Sequence, residues 1–153
     1  MEQLDQIIGE HPFMAGMKAE HFQVIAGCGR NVVFKADDYI FREGEPADHF
    51  YLLRRGSVAL EVSAPGHAAI QIQTLEDGDL VGASWLVPPY RWAWDAKVLE
   101  TTRLVELDAV CLRDKCEVDH DLGYELMKRL APAIGKRLQA TRLQLLNVYG
   151  TAD

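Results

Sequence analysis

The hydrophobic pattern changes period twice along the chain, and the changes divide it into three parts. Up to about residue 28 the spacing is helical: Phe22, Ile25 and Ala26 share a face, and Gly27 and Gly29 stop the run. From Asn31 to Asp108, short β-favouring runs alternate with turn residues, as an all-β sandwich or barrel requires. Residues 31–34, 39–41, 49–53, 57–62, 69–73, 96–99 and 103–107 read as strands. Arg55-Gly56 reads as the turn of a hairpin joining the third of these to the fourth, and Pro65-Gly66 and Asp77-Gly78 as further turns. From Asp108 the helical period returns. A short helix carries Val110, Cys111 and Leu112 and ends near Cys116. A long helix follows, capped by Asp119 or Asp121 and running to about Tyr149.

The long helix carries a second pattern. Met127, Ile134, Thr141 and Val148 recur every seven residues, and Ala131, Leu138 and Leu145 follow four residues after the first three. That is a coiled-coil seam, and it predicts a parallel homodimer through residues 122–148. The competing reading is a helix packed on its own β-domain; the two can hold on different faces. Pro132 and Gly135 weaken the helix interior and predict a kink. No repeat, low-complexity stretch or linker interrupts the chain. It is expected to form one domain over 1–153: a helical start (1–30), a β-region (31–108) and C-terminal helices (109–149).

Composition narrows the function. A length of 153 residues suits one domain with a real core. The formal charge of −7 argues against a nucleic-acid partner, which needs a basic surface. No apolar run approaches the roughly 18 residues that span a bilayer, so no membrane partner is expected. Residues 1–5 are acidic and lack a signal-peptide pattern, so the expected location is cytoplasmic.

Cys28, Cys111 and Cys116 match no zinc or iron–sulfur spacing. Reduced, structural thiols are expected; a redox role for Cys28, in Gly27-Cys28-Gly29, is the alternative. His49 and His67 lie apart, and His11, His21 and His120 fall on helices or helix starts, expected to face solvent. No metal cluster and no nucleophile–His–acid arrangement stands out, so no catalytic or metal-binding residue is named and no enzyme is expected.

Gly44-Glu45, the hairpin stretch from Tyr51 to Val58, the run from Gly78 to Gly82 and Arg137-Leu138-Gln139-Ala140-Thr141 together resemble the cyclic-nucleotide-binding, Crp/Fnr-like family. The resemblance covers nearly the whole chain. It implies an α+β fold: an antiparallel, jelly-roll-like β-roll (a double-stranded β-helix) flanked by an N-terminal helix and a long C-terminal helix. It also implies a cassette that holds a cyclic phosphate on backbone N–H groups at the start of a short helix. In the family, a Glu just after the residue matching Gly82 accepts from the ribose 2′-OH. An Arg late in the cassette pairs with the phosphate, and a long-helix residue reaches the base.

The chain departs from that pattern. Ala83 stands where the Glu is expected, and the neighbouring Ser84 can replace it only in part. Trp92 occupies the usual Arg position, with Arg91 one residue earlier, and on a strand one residue reverses the side-chain face. Arg91 is either an anion partner in a pocket walled by Trp85, Tyr90 and Trp92, or a structural Arg stacked on those rings. Trp94 reads as core or dimer contact. Thr141 matches the base-reaching residue, and Arg142 follows it. The candidate ligand residues are therefore Gly82, Ala83, Ser84, Arg91, Trp92, Thr141 and Arg142. No cofactor is expected beyond a cyclic nucleotide or other anionic ligand. Crp/Fnr transcription factors continue into a helix-turn-helix domain where this chain ends, so direct reading of DNA is not expected. The expected function is a regulatory or sensor domain. The alternative is a degenerate, non-binding module for dimerisation or protein interaction.

Overall fold

The computed structural model describes residues 3–63 and 65–150, with side chains through Asn147. The chain opens with α1 (Leu4–Glu10), a 3₁₀ turn (Pro12–Met14) and α2 (Ala19–Ala26). Eight strands follow: β1 (Gly29–Phe34), β2 (Tyr39–Phe41), β3 (His49–Arg55), β4 (Val58–Val62), β5 (Ile70–Leu75), β6 (Leu80–Val81), β7 (Asp95–Val98) and β8 (Thr102–Asp108). Then come α3 (Ala109–Val118) and α4 (His120–Gly150). The strands form two antiparallel four-stranded sheets, ordered β1-β8-β3-β6 and β2-β7-β4-β5. One cluster of buried side chains draws on both sheets, with Phe50, Leu52 and Leu104 from one and Val58, Leu60 and Ala96 from the other. This is the expected β-roll.

The expected hairpin at Arg55-Gly56 does not form. β3 and β4 lie in different sheets, and the chain crosses between them there. Gly56 sits at φ +137°, and a Cβ on it would come within 2.2 Å of Thr102 Oγ1. The alternation of apolar residues is the same for a hairpin and for a sheet-to-sheet corner. The difference lies in the distant partners, Leu104 opposite Leu53 and Val98 opposite Val58. β4 and β5 do pair, around the turn at Pro65-Gly66.

The thiol expectation is also corrected. Cys28 and Cys111 form a disulfide, with Cα atoms 5.9 Å apart across 83 residues of sequence. Gly29 pairs with Leu107, and Asp108 N donates to Cys28 O at 2.8 Å. The start of β1 therefore lies beside the start of α3, a proximity that local spacing cannot reveal. Cys116 is the free, half-buried thiol, and burial pushes its pKa up to about 11. Two histidines are corrected as well. His11 and His21 are buried rather than solvent-facing, while His120 is exposed.

Asp119, not Asp121, caps α4: its Oδ1 accepts from Leu122 N at 3.2 Å. α4 runs unbroken past Pro132 and Gly135. Its inward face carries Leu122, Leu126, Leu130 and Arg137, all buried against the domain. Met127, Ala131, Ile134, Leu138 and Leu145 lie exposed on another face. The two readings of the helix thus occupy different faces, while the Val148 and Tyr149 side chains lie outside the described residues.

Candidate functional site

The cassette starts where β6 ends. Gly82 takes φ +101°, and a Cβ there would meet the Trp92 ring at 2.5 Å. Only glycine fits both demands. A single 3₁₀ turn, Ser84–Leu86, replaces the short helix that the resemblance implies. A turn through Pro88-Pro89, closed by Tyr90 N donating to Val87 O at 3.0 Å with Tyr90 at φ +58°, then brings the chain to Arg91 and Trp92. Paired backbone bonds pin this return: Gly44 N donates to Trp92 O at 2.8 Å and Trp92 N to Glu45 O at 3.0 Å.

The aromatic side chains hold the cassette rather than line a cavity. Trp92 is buried and stacks on Phe41 with ring centroids 3.8 Å apart. Trp85 is fully buried and stacks on Phe50 at 4.0 Å. The ring of Tyr90 carries the guanidinium of Arg113, not of Arg91, 4.3 Å from its centroid. So the aromatic walls expected around Arg91 do not form, and Gly82 and Trp92 support the site from the core side. Arg91 is exposed, and its Nη1 donates to Gly44 O at 2.8 Å.

A cavity of about 470 Å³ lies between the cassette and α4. Ala83, Ser84, Val87 and the two prolines line it from the cassette, with Arg91 and Trp94 at the return. Ile134, Arg137, Leu138 and Thr141 line it from α4. Ala83, Ser84, Arg91 and Thr141 thus line one cavity. Arg142 is exposed and outside the lining. The Thr141 hydroxyl donates to Arg137 O at 2.8 Å, so its proton is used within its own helix.

Arg137 is the residue that sequence reasoning missed as a site residue. It is 7% exposed and lines the cavity, yet its buried Nε has no hydrogen-bond partner, and its side chain no ion pair, among the described residues. Burial lowers its pKa to about 10, which leaves it charged at neutral pH. A buried, charged and unpaired group is costly. The available signal was its position one helical turn before Thr141, on the same face. Arg137 also borders a second cavity of about 590 Å³ between α4, β5 and the Pro12–Met14 turn. There Gln73 Oε1 and Arg129 Nε are buried without partners among the described residues. No cluster of three or more metal-ligating side chains occurs among the described residues.

The geometry is that of a β-roll with a cassette following β6, and comparison with known proteins agrees. The family model "Cyclic nucleotide-binding domain" matches residues 31–119, and the chain belongs to that family. A CRP-like cAMP-activated global transcriptional regulator of Mycobacterium tuberculosis is 22% identical over 148 residues, covering 97% of this chain. The chain spans only 64% of that regulator's length. Among solved structures, a Geobacter metallireducens protein assigned to the cyclic nucleotide-binding proteins is 28% identical, with TM-score 0.79, covering 90% of this chain and 99% of that one. A cyclic nucleotide-binding domain from Methylobacillus flagellatus shares the fold, with TM-score 0.76 and 16% identity over 95% of this chain and 82% of that one. No helix among the described residues is long and apolar enough to cross a membrane.

Proposed function

We propose that the protein is a regulatory sensor domain whose cassette–α4 cavity takes a small anionic ligand. The observation that carries this is Arg137: a buried cation without a counter-charge, on the wall of a cavity in the place where the family binds its ligand. An anion there would supply the missing partner. Ile134 and Leu138 belong both to the cavity wall and to the exposed seam of α4. Ligand occupancy and pairing of α4 with a second copy are therefore linked through shared side chains. The reading assigns no catalysis, a cytoplasmic location and no DNA duplex as direct partner, the last on the net charge of −7.

The test is thermal stability against cyclic nucleotides and simple anions, in wild type and Arg137→Gln. A specific ligand raises the melting temperature by mass action. The expected result is stabilisation by an anion that the variant loses. Leu145→Glu tests pairing without touching the cavity, since Leu145 is 56% exposed and does not line it. Light scattering is expected to report a dimer for wild type and a monomer for the variant.

A second reading is favoured by one observation. Ala83, on the cavity wall where the family has a Glu, offers no acceptor. A non-binding dimerisation module would show the seam effect and no ligand effect.

A further inference from the structure

Resting on the anion-binding reading above, we infer that the cavity selects a compact apolar monocarboxylate over a cyclic nucleotide. The charge supply is small. Arg137 is the one buried cation on the cavity wall; Arg91 is exposed and already holds Gly44 O. The cassette Arg that pairs with the phosphate in the family is replaced by Trp92, which is locked in the core against Phe41. A guanidinium offers two parallel donors that match one carboxylate.

The rest of the lining fits an apolar body. Val87, Pro88, Pro89, Trp94, Ile134 and Leu138 present hydrocarbon and ring surface to the cavity. Among the described residues no carboxylate side chain lines it. A ribose 2′-OH would meet the Ala83 methyl group, and the Thr141 hydroxyl proton is spent on Arg137 O. Among the described residues, Ser84 and the Thr141 oxygen, which can still accept, are the uncharged polar side-chain groups of the lining. A buried hydroxyl left unpaired weakens binding roughly 10- to 100-fold. An apolar ligand body loses nothing on those walls and gains by leaving water.

The experiment is calorimetric titration of the full chain with benzoate, 3-phenylpropanoate and octanoate, each beside its neutral amide, and with cyclic AMP and cyclic GMP. The expected result is that one of the acids binds at least about tenfold tighter than its amide and than either nucleotide. Arg137→Gln, checked for folding by circular dichroism, should erase the difference between acid and amide. The acid–amide comparison in wild type holds whether or not the variant folds. Tighter binding of a cyclic nucleotide, lost in Arg137→Gln, would overturn the carboxylate and leave the anion-binding reading standing. Equal binding of acid and amide would overturn the role of charge. Failure of every probe at millimolar concentration would overturn both readings together.

Discussion

The guanidinium of Arg113, on α3, donates to the carbonyl oxygen of Trp85 in the cassette. The same group reaches Ala47 O at 3.3 Å and lies over the Tyr90 ring. Two residues earlier, Cys111 ties α3 to the start of β1. Asp119 alone separates α3 from α4. One side chain thus joins the cassette, the β2–β3 turn and the helix that leads into α4. A shift of the cassette must move Arg113 or break its bonds, which gives a physical route from the cavity to α4.

Arg113→Met should therefore destabilise the domain by about 2–3 kcal/mol, because two carbonyls lose a charged donor. Arg113→Lys keeps the charge but not the planar stack on Tyr90, and should recover only part of that. Urea unfolding of the three proteins measures it. Equal midpoints would show that the Arg113 bonds contribute nothing.

Much of this architecture was legible in local spacing. The seven strand runs that the alternation marks each fall on an observed strand, and Asp119 was one of two caps, with Asp121, that the spacing before the apolar helix allowed. The corner at Gly56 was not legible, because a local pattern does not say which distant strand will pair. Nor was the disulfide, which depends on β1 meeting β8. His11 and His21 looked like surface helix residues because a lone polar residue gives no sign of what packs over it. In the site, Ala83, Ser84 and Thr141 could be placed by motif. Trp92 took the place of a charged residue in the motif, but its size sent it into the core beneath Gly82. Arg137 was hidden for the opposite reason: an Arg on a helix reads as solvent-facing until the fold covers it.

His11 gives a pH dependence with a definite sign. Its Nδ1 accepts from Phe13 N at 3.2 Å, so the neutral ring carries its proton on Nε2 and donates to Leu53 O at 2.8 Å. Burial is the largest influence on it and lowers its pKa below the ordinary 6.5. The unfolded chain then binds the proton more readily than the folded one. Stability contributed by neutral His11 is present above about pH 6.5 and is lost as pH falls toward the folded-state value. Urea midpoints measured downward from pH 7 should fall across that window in wild type, and less steeply in His11→Gln. Parallel profiles would remove His11 as the cause.

The Cys28–Cys111 pairing makes a countable claim. Thiol titration of unreduced, denatured protein should find one reactive group, Cys116, and reduction should bring the count to three. In the native state Cys116 should react slowly at pH 8, since its pKa stands near 11. A crosslink spanning 83 residues restricts the unfolded chain by about 4.5 kcal/mol on the chain-entropy relation. Cys28→Ser should lower the urea midpoint accordingly, and reducing agent should lower wild type to the same value. Cytoplasmic thiols are held reduced, so the redox state of this pair in cells also tests the proposed location.

Ala83→Glu separates charge from volume at the site. Ala83 is 6% exposed and shares the cavity wall with Arg137. A glutamate there adds a carboxylate to the cavity that the Arg137 guanidinium lines, and so competes with a carboxylate ligand for it. Ala83→Gln adds nearly the same bulk without the charge. If Arg137 is the anion anchor, Ala83→Glu should weaken binding of the acid probes at least about tenfold more than Ala83→Gln does. The binding of their amides should fall equally in both variants, since only filled volume acts on them. Cyclic AMP should gain relative to the acids in Ala83→Glu, because the ribose hydroxyl then meets an acceptor. Titration of the three proteins with one acid, its amide and cyclic AMP decides the matter. Equal losses of the acid in the two variants would mean that the cavity is read by shape alone and that Arg137 does not hold the ligand.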